Sequence, residues 1–132
     1  MDLLITAKNF VCPSLFMAEE LKRNGGKTWV YQFNRVRDDE LAQKYGAFHG
    51  AELPYVFDTH DQWLPTNKAD KVLTEEIQSY WLSFAKTGDP NNDGAVVWPE
   101  YESSNDSTLV LDNEIYQRSH ESSEICKIMD LF

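Results

Sequence analysis

Positive charge is scarce in this chain. Its 132 residues include 12 lysines and arginines against 22 aspartates and glutamates, which gives a net charge of −10. The few basic residues are scattered along the sequence. Because a phosphate backbone binds a clustered cationic face, we expect no nucleic-acid partner.

Long apolar runs are also lacking. No stretch approaches the roughly 20 apolar residues that cross a bilayer, so we expect no membrane partner. Residues 2–8 lack the charged start and long apolar core of a secretory signal, so none is expected there. The chain is nevertheless 42% hydrophobic and 13% aromatic. That composition is typical of a globular segment with a core of its own.

Cysteine is limited to Cys12 and Cys126, and no CxxC pair is present. Two distant cysteines without a secretory signal are more often free thiols than a disulfide. The residues alone leave both states open.

The most informative stretch reads Gly-Ala-Phe-His-Gly-Ala-Glu-Leu-Pro-Tyr-Val-Phe at positions 46–57. Glycines on both sides of His49 favour a tight bend that projects the imidazole. Imidazole titrates near neutrality and can move protons at working pH. A loop histidine without a role is the ordinary alternative, and the pattern alone does not choose between them.

Periodicity and turn residues predict alternating helices and strands. We expect helices at 13–22, 51–57 (with Pro54 in its first turn), 68–87 and 122–130, and strands at 28–34, 108–111 and 115–117. This order predicts an α/β fold in which a few strands pack with helices.

Three segments together resemble one family. Residues 46–57 resemble the GxxHGxELxYVF segment of type B carboxylesterases, the α/β-hydrolases that include cholinesterases and para-nitrobenzyl esterases. Residues 81–91 match the family's WxxFAxTGDPN, and residues 98–101 match its WPxY. The matches are in the correct order and the resemblance runs along essentially the whole chain. It implies that residues 1–132 form one segment, the C-terminal part of an α/β-hydrolase domain.

The resemblance also implies roles for particular residues. His49 falls on the general base of a Ser-Glu-His triad, and Glu52 is expected to order its loop rather than to act as the triad acid. Phe48 and Tyr55 are candidates for lining an apolar pocket for small uncharged esters. Cys12 and Cys126 stand where many relatives carry cysteines that can pair. No cofactor is implied.

The nucleophile of such an enzyme is missing. The only glycines with GxSxG spacing are Gly46 and Gly50, whose centre is Phe48, and no HGGG-like segment is present. We therefore expect the serine, the acid and the oxyanion hole to lie in the N-terminal part of the same hydrolase domain. The isolated chain should be inactive, and its uncovered apolar surfaces should make it self-associate as a homo-oligomer.

An alternative function comes from the acidic residues after the long helix. The calcium-loop pattern D-x-[DN]-x-[DN]-G-x5-E is satisfied by Asp89, Asn91, Asp93, Gly94 and Glu100. It would make the chain a non-catalytic interaction domain with a calcium-binding loop at 89–100. Gly88 before the loop and Pro99 before its last ligand argue against it.

The sequence gives only weak indications of function for the two other histidines, His60 and His120. His60, with Asp58 and Asp61, could supply metal ligands, although such residues on a polar loop are usually solvated. His120 is expected at the surface.

Overall fold

The computed structural model describes residues 3–60, 65–119 and 122–128. Its helices and strands, in chain order, are α1 (Leu3–Thr6), a π-helical turn (Ala7–Val11), α2 (Cys12–Arg23), β1 (Tyr31–Phe33), α3 (Glu40–Tyr45), α4 (Leu53–Phe57), α5 (Lys68–Thr87), β2 (Thr108–Leu111), β3 (Tyr116–Arg118) and α6 (Ser122–Ile128). This mixture of helices and strands agrees with the predicted α/β class. Within the described residues, none of the helices has both the length and the apolar character needed to cross a bilayer.

The three strands form one sheet in the order β1-β2-β3. All four residues of β2 are buried, since this strand has a neighbour on each side. The chain divides into two compact units, and three of the four boundaries fall within strands. Unit 1 comprises Met1–Tyr31, Trp98–Leu109 and Gln117–Phe132, and unit 2 comprises Gln32–Val97 and Val110–Tyr116.

Unit 1 has an apolar core around α2. Leu15 and Ala18 of this helix are buried with Tyr101, whereas Phe16 and Leu21, predicted to share their face, are about half exposed. The buried stripe is therefore narrower than the pattern suggested. The helical region also begins earlier than predicted, at Leu3, and it ends as expected at Asn24, the C-cap of α2.

A disulfide lies in the same core. Cys12 at the start of α2 is bonded to Cys126 of α6, with their Cα atoms 5.6 Å apart. Both cysteines are fully or almost fully buried. Of the two states that the sequence left open, the structure has the bridge.

Unit 2 is built on α5, whose bounds match the prediction. Asn67 and Asp70 form a reciprocal capping box at its start, and Gly88 ends it in the left-handed region at φ 77°. Ile77 and Tyr80 are buried as expected, but the predicted core residues Val72 and Phe84 are about half exposed. Val72 and Phe84 thus leave apolar surface of α5 exposed.

Shorter elements of unit 2 position the histidine segment. Helix α4 carries Pro54 in its first turn, as predicted, and packs against α5. Helix α3 was not predicted; Asp39 caps it by accepting from the main-chain nitrogens of Leu41 and Ala42. Strand β1 is shorter than the predicted strand at 28–34.

Candidate functional site

His49 lies in the turn between α3 and α4, and its side chain is exposed. Gly46 and Gly50 on either side have φ values of 67° and 85°. L-residues with a Cβ rarely adopt this region, so the turn depends on glycine at both positions. The predicted bend is present, and it leaves His49 accessible.

Main-chain hydrogen bonds fix the turn on both sides of His49. The N–H of Ala51 donates to the carbonyl of Phe48 at 3.0 Å, and that of Leu53 donates to Gly50 at 3.1 Å. Glu52 follows and is half-buried. Its carbonyl accepts from Tyr55 and Val56, while its side chain does not cap α4. The main chain of Glu52 therefore begins α4.

Tyr55, which the sequence suggested as a pocket-lining residue, is buried behind the turn. It is 0% exposed, and its hydroxyl donates to Asp70 Oδ1 at 2.7 Å. The ring packs against Phe33, with centroids 5.1 Å apart. Burial, and then the hydrogen bond to Asp70, raise the pKa of Tyr55. Because the side chain is buried, Tyr55 anchors α4 from behind the turn, where it is also part of the wall of a cavity.

Asp70 is the centre of this anchor and is 1% exposed. Its Oδ1 also accepts from Arg35 Nε at 2.8 Å, and its Oδ2 accepts from the main-chain nitrogen of Asn67 at 2.9 Å. Burial alone would raise the pKa of Asp70, but the bonds from Arg35, Asn67 and Tyr55 outweigh it and lower that pKa. The carboxylate therefore stays charged, because its charge is paired and its oxygens are hydrogen-bonded.

His60 belongs to a neighbouring hydrogen-bond chain. Arg37 donates to its Nδ1 across 3.2 Å, and its Nε2 lies 2.7 Å from Thr74 Oγ1. Since the Thr74 hydroxyl donates to the carbonyl of Asp70, we assign the His60 proton to Nε2. Burial, followed by the positive charges of Lys71 and Arg37, lowers the pKa of His60. Both ring nitrogens are thus engaged by protein groups.

This arrangement does not favour the hypothesis that residues 58–61 bind a metal ion. Asp58 lies 3.4 Å from Lys71 Nζ, and its Oδ1 is 4.0 Å from His60 Nε2. Asp61 and His120 lie outside the described residues. Across the parts of the chain that the structure describes, no three His, Cys, Asp or Glu side chains come together as metal ligands.

The calcium-loop residues have other interactions. Asp89 Oδ1 accepts from both the main-chain and the side-chain nitrogen of Asn91, at 2.9 and 2.8 Å. Asp93 is exposed, and Glu100 lies 3.8 Å from Lys22 Nζ. Asp89 therefore closes a local turn, and no observation on the described residues favours a calcium site.

A cavity of about 290 Å³ opens beside the histidine turn within unit 2. Its lining comes from three places: the segment between β1 and α3, helix α3 itself, and the turn into α4 with that helix. These residues are Arg35, Arg37, Asp39, Leu41, Ala42, Gly46, Phe48, Gly50, Ala51, Leu53, Pro54, Tyr55 and Thr59. Phe48 is 41% exposed and is the aromatic side chain next to His49 that a ligand can reach.

Sequence reasoning missed the buried polar residues behind the turn. In the sequence, Arg35 and Arg37 count only among the scattered basic residues, yet both are buried. One local signal was available: Asn67 and Asp70 have the three-residue spacing of a capping box before an apolar run. It marks the start of α5, but it does not predict that Asp70 also binds Arg35 and Tyr55.

Comparisons with known protein families and sequences all point to esterases. A family model described as "Carboxylesterase family" matches residues 1–128. Para-nitrobenzyl esterase of Bacillus subtilis is 40% identical over 101 residues, which cover 73% of this chain and 20% of that protein. Acetylcholinesterase 1 of Caenorhabditis elegans is 33% identical over 111 residues, covering 78% of this chain and 18% of that protein.

Solved structures show the same similarity in three dimensions. A thermophilic para-nitrobenzyl esterase superposes with a TM-score of 0.69 at 35% identity, covering 80% of this chain and 22% of that one. A second para-nitrobenzyl esterase gives 0.67 at 36% identity, with 80% and 21% covered. These neighbours are α/β-hydrolase esterases. The chain spans about a fifth of the length of the relatives that it matches.

Proposed function

This chain belongs to the carboxylesterase family, and from that we propose that it is the part of a carboxylic-ester hydrolase that supplies the general base, His49. The observation that carries the proposal is the accessible imidazole on a glycine-framed turn. The turn leads directly into α4, which Tyr55 and Asp70 anchor to α5. A base must be held in a reproducible position, and this anchoring supplies it.

In the proposed mechanism His49 takes the serine proton as the serine attacks the ester carbonyl. It then passes that proton to the leaving alcohol, and in deacylation it removes a proton from the attacking water. The serine, the acid and the oxyanion donors come from the rest of the hydrolase domain. The substrate proposed is a small uncharged ester, because the reachable side chain beside His49 is the apolar ring of Phe48.

Glu52 has a supporting role in this proposal. The residue is half-buried, lies three positions from His49 and does not cap α4 with its side chain. We assign it to ordering the turn, directly or through water, and not to the triad. A Glu52→Gln change keeps hydrogen-bonding capacity and should therefore reduce activity far less than loss of the imidazole.

A chimera tests the role of His49. The chain would replace the matching segment of Bacillus subtilis para-nitrobenzyl esterase, and hydrolysis of para-nitrophenyl acetate would be followed. We expect an active chimera and a loss of kcat of at least about 1,000-fold in His49→Ala. His120→Ala is the matched histidine control and should keep activity. If His49→Ala stays within about tenfold of the parent, His49 is not the base.

The isolated 132-residue chain tests the prediction that the nucleophile lies outside these residues. We expect hydrolysis no faster than buffer, together with a light-scattering mass above that of one chain as concentration rises. Ester turnover that disappears in His49→Ala would show that a nucleophile lies within these residues. A monomeric mass at high concentration would contradict the proposed self-association.

A further inference from the structure

Arg37 contacts the helices on both sides of the His49 turn. It lies between β1 and α3 and is 6% exposed. Its carbonyl accepts from Nε2 of Gln43 in α3 at 2.9 Å, and its guanidinium carbon lies 5.0 Å from the ring centre of Tyr55 in α4. Since α3 precedes the turn and α4 follows it, one residue holds the helix at each end.

The Arg37 side chain also reaches the start of α5. Its Nη1 donates to the carbonyl of Pro65 at 3.2 Å and to Thr66 Oγ1 at 2.9 Å, directly before that helix. Its Nη2 donates to His60 Nδ1 at 3.2 Å. A guanidinium can make these bonds together because its donors lie in a rigid plane, which an ammonium group lacks. Arg37 therefore connects both helices of the turn to α5.

The contact with Arg37 requires a neutral His60. Nδ1 must keep its lone pair to accept from the guanidinium, while Nε2 carries the ring proton and donates to Thr74. A second proton, on Nδ1, would set N–H against N–H and place two positive charges side by side. The His60 side chain is only 3% exposed, so water would not screen that repulsion.

The other groups around His60 do not compensate for a second proton. Lys71 opposes protonation, as Arg37 does, whereas Asp58 and Asp70 favour it. Asp58 is 54% exposed, and Asp70 is already engaged by other donors. Burial and the two cations prevail and lower the pKa of His60. The charged and titratable groups that face the ring are Arg37, Tyr55, Asp58, Asp70 and Lys71.

We propose that Arg37 is a positioning residue for His49 and that it acts only while His60 is neutral. Through Gln43 and Tyr55 it fixes both helices of the turn, and with them the position of the imidazole. The inference rests on the proposed function, in that His49 is the base. A reacting group misplaced by about 1 Å can cost about 100-fold in rate, so loosening the turn lowers kcat without weakening substrate binding.

Arg37→Lys in the para-nitrobenzyl esterase chimera tests the positioning role. Lysine keeps the charge but cannot bond to Pro65, Thr66 and His60 together. With para-nitrophenyl acetate at about pH 8, we expect kcat to fall at least about tenfold and KM to stay within about twofold. Leu15→Val in the core of unit 1 is the control; it should lower the midpoint of thermal unfolding and keep kcat. An unchanged kcat in Arg37→Lys, or an equal loss in Leu15→Val, would overturn the proposal.

Gln43→Ala tests the link to α3 at an exposed position where alanine favours the helix. It removes the bond to the Arg37 carbonyl and leaves the guanidinium in place. We expect kcat to fall at least about threefold with KM unchanged, while Lys44→Ala, its exposed neighbour, keeps the kcat of the parent. Because α3 should still form, this measurement stands even if Arg37→Lys fails to fold. Equal kcat values in Gln43→Ala and Lys44→Ala would overturn the proposal.

The pH profile tests the dependence on His60. His49 must also be neutral to accept a proton, so on acidification the chimera should lose kcat/KM to two protonations. His60→Gln offers an acceptor and a donor but does not titrate. At the acid end of the range in which circular dichroism shows both proteins folded, we expect log(kcat/KM) to fall less steeply in this variant, by about one unit of slope. Parallel profiles would overturn the proposal.

Failure of this inference is distinguishable from failure of the proposed function. If the chimera keeps its activity in His49→Ala, His49 is not the base and both proposals are wrong. If His49→Ala is inactive while Arg37→Lys and Gln43→Ala match their controls, the base stands and the positioning role of Arg37 is rejected.

Discussion

The two units of this chain stabilise their interiors in different ways. Unit 1 buries apolar side chains such as Leu15 and Tyr101 beside a disulfide. Unit 2 buries a carboxylate, Asp70, with the guanidinium of Arg35 and the hydroxyl of Tyr55. The network in unit 2 depends on the charge of Asp70 staying in place, because Arg35 and Tyr55 both donate to that carboxylate.

The difference also bears on function. A buried ion pair is rarely more stable than an apolar packing of the same volume, but its geometry is directional and removing one partner is costly. Unit 2 contains the His49 turn, and Asp70 fixes α4 directly after it. We therefore interpret the polar network as a device that positions the turn, and the bridged core of unit 1 as support for the fold.

The largest expected effect comes from breaking the network. Asp70→Asn removes the buried counter-charge of Arg35, leaving only the exposed Asp38 beside it, and should lower the free energy of unfolding by about 3–5 kcal/mol in urea titrations. Asp93→Asn, an exposed carboxylate on a loop, is the matched control and should change it by no more than about 0.5 kcal/mol. A cost below about 1 kcal/mol for Asp70→Asn would mean that the network is not what holds α4.

Removing the bridge should have the next largest effect. Cys12→Ser with Cys126→Ser opens a loop of 114 residues, and we expect a loss of about 2–4 kcal/mol. Amide hydrogen exchange should become faster in α2 and α6 of this variant, which would show that the loss of stability lies in unit 1. Mass spectrometry of the unreduced, alkylated protein checks the premise, since modification of both thiols would rule the bridge out.

The smallest effect is the pH dependence expected of unit 2. Burial and the charges of Lys71 and Arg37 lower the pKa of His60 below its ordinary value of 6.5. On acidification the unfolded chain therefore binds the proton first, and stability falls as pH drops below 6.5. Asp70, whose pKa is lowered from 3.8, contributes stability that is lost only below that pH.

The matched variant for this effect is His60→Gln. It should flatten the upper part of the pH curve for unfolding and leave the lower part unchanged. The curve is obtained from urea midpoints between pH 7 and pH 3. A slope above pH 4 that is identical in both proteins would show that His60 is not its source.

Elements with strong local signals could be predicted from the sequence. Helix α5 carries a cap, an apolar repeat and a terminal glycine, and both it and β2 have the predicted bounds. Partners distant in sequence could not be predicted, because periodicity does not say what a face meets. Arg35 and Asp70 are 35 positions apart, and nothing local to either residue indicates their contact.

In the candidate site, too, features set by the local sequence could be predicted, and features set by distant partners could not. The bend at His49 was predicted because glycines determine it locally, and the family resemblance supplied its proposed role. The complete burial of Tyr55 could not be predicted, since it depends on Asp70 and Phe33. Helix α3 was missed because its six residues carry too short a pattern.

The central claim is that His49 activates a serine, and serine labelling in the para-nitrobenzyl esterase chimera tests it most directly. A fluorophosphonate reacts once with an activated serine, so intact-mass spectrometry gives the rate of that step without deacylation. We predict that His49→Ala slows labelling at least about 1,000-fold, while His120→Ala labels like the parent. Equal labelling of the His49→Ala chimera and the parent would contradict the assignment of His49 as the general base.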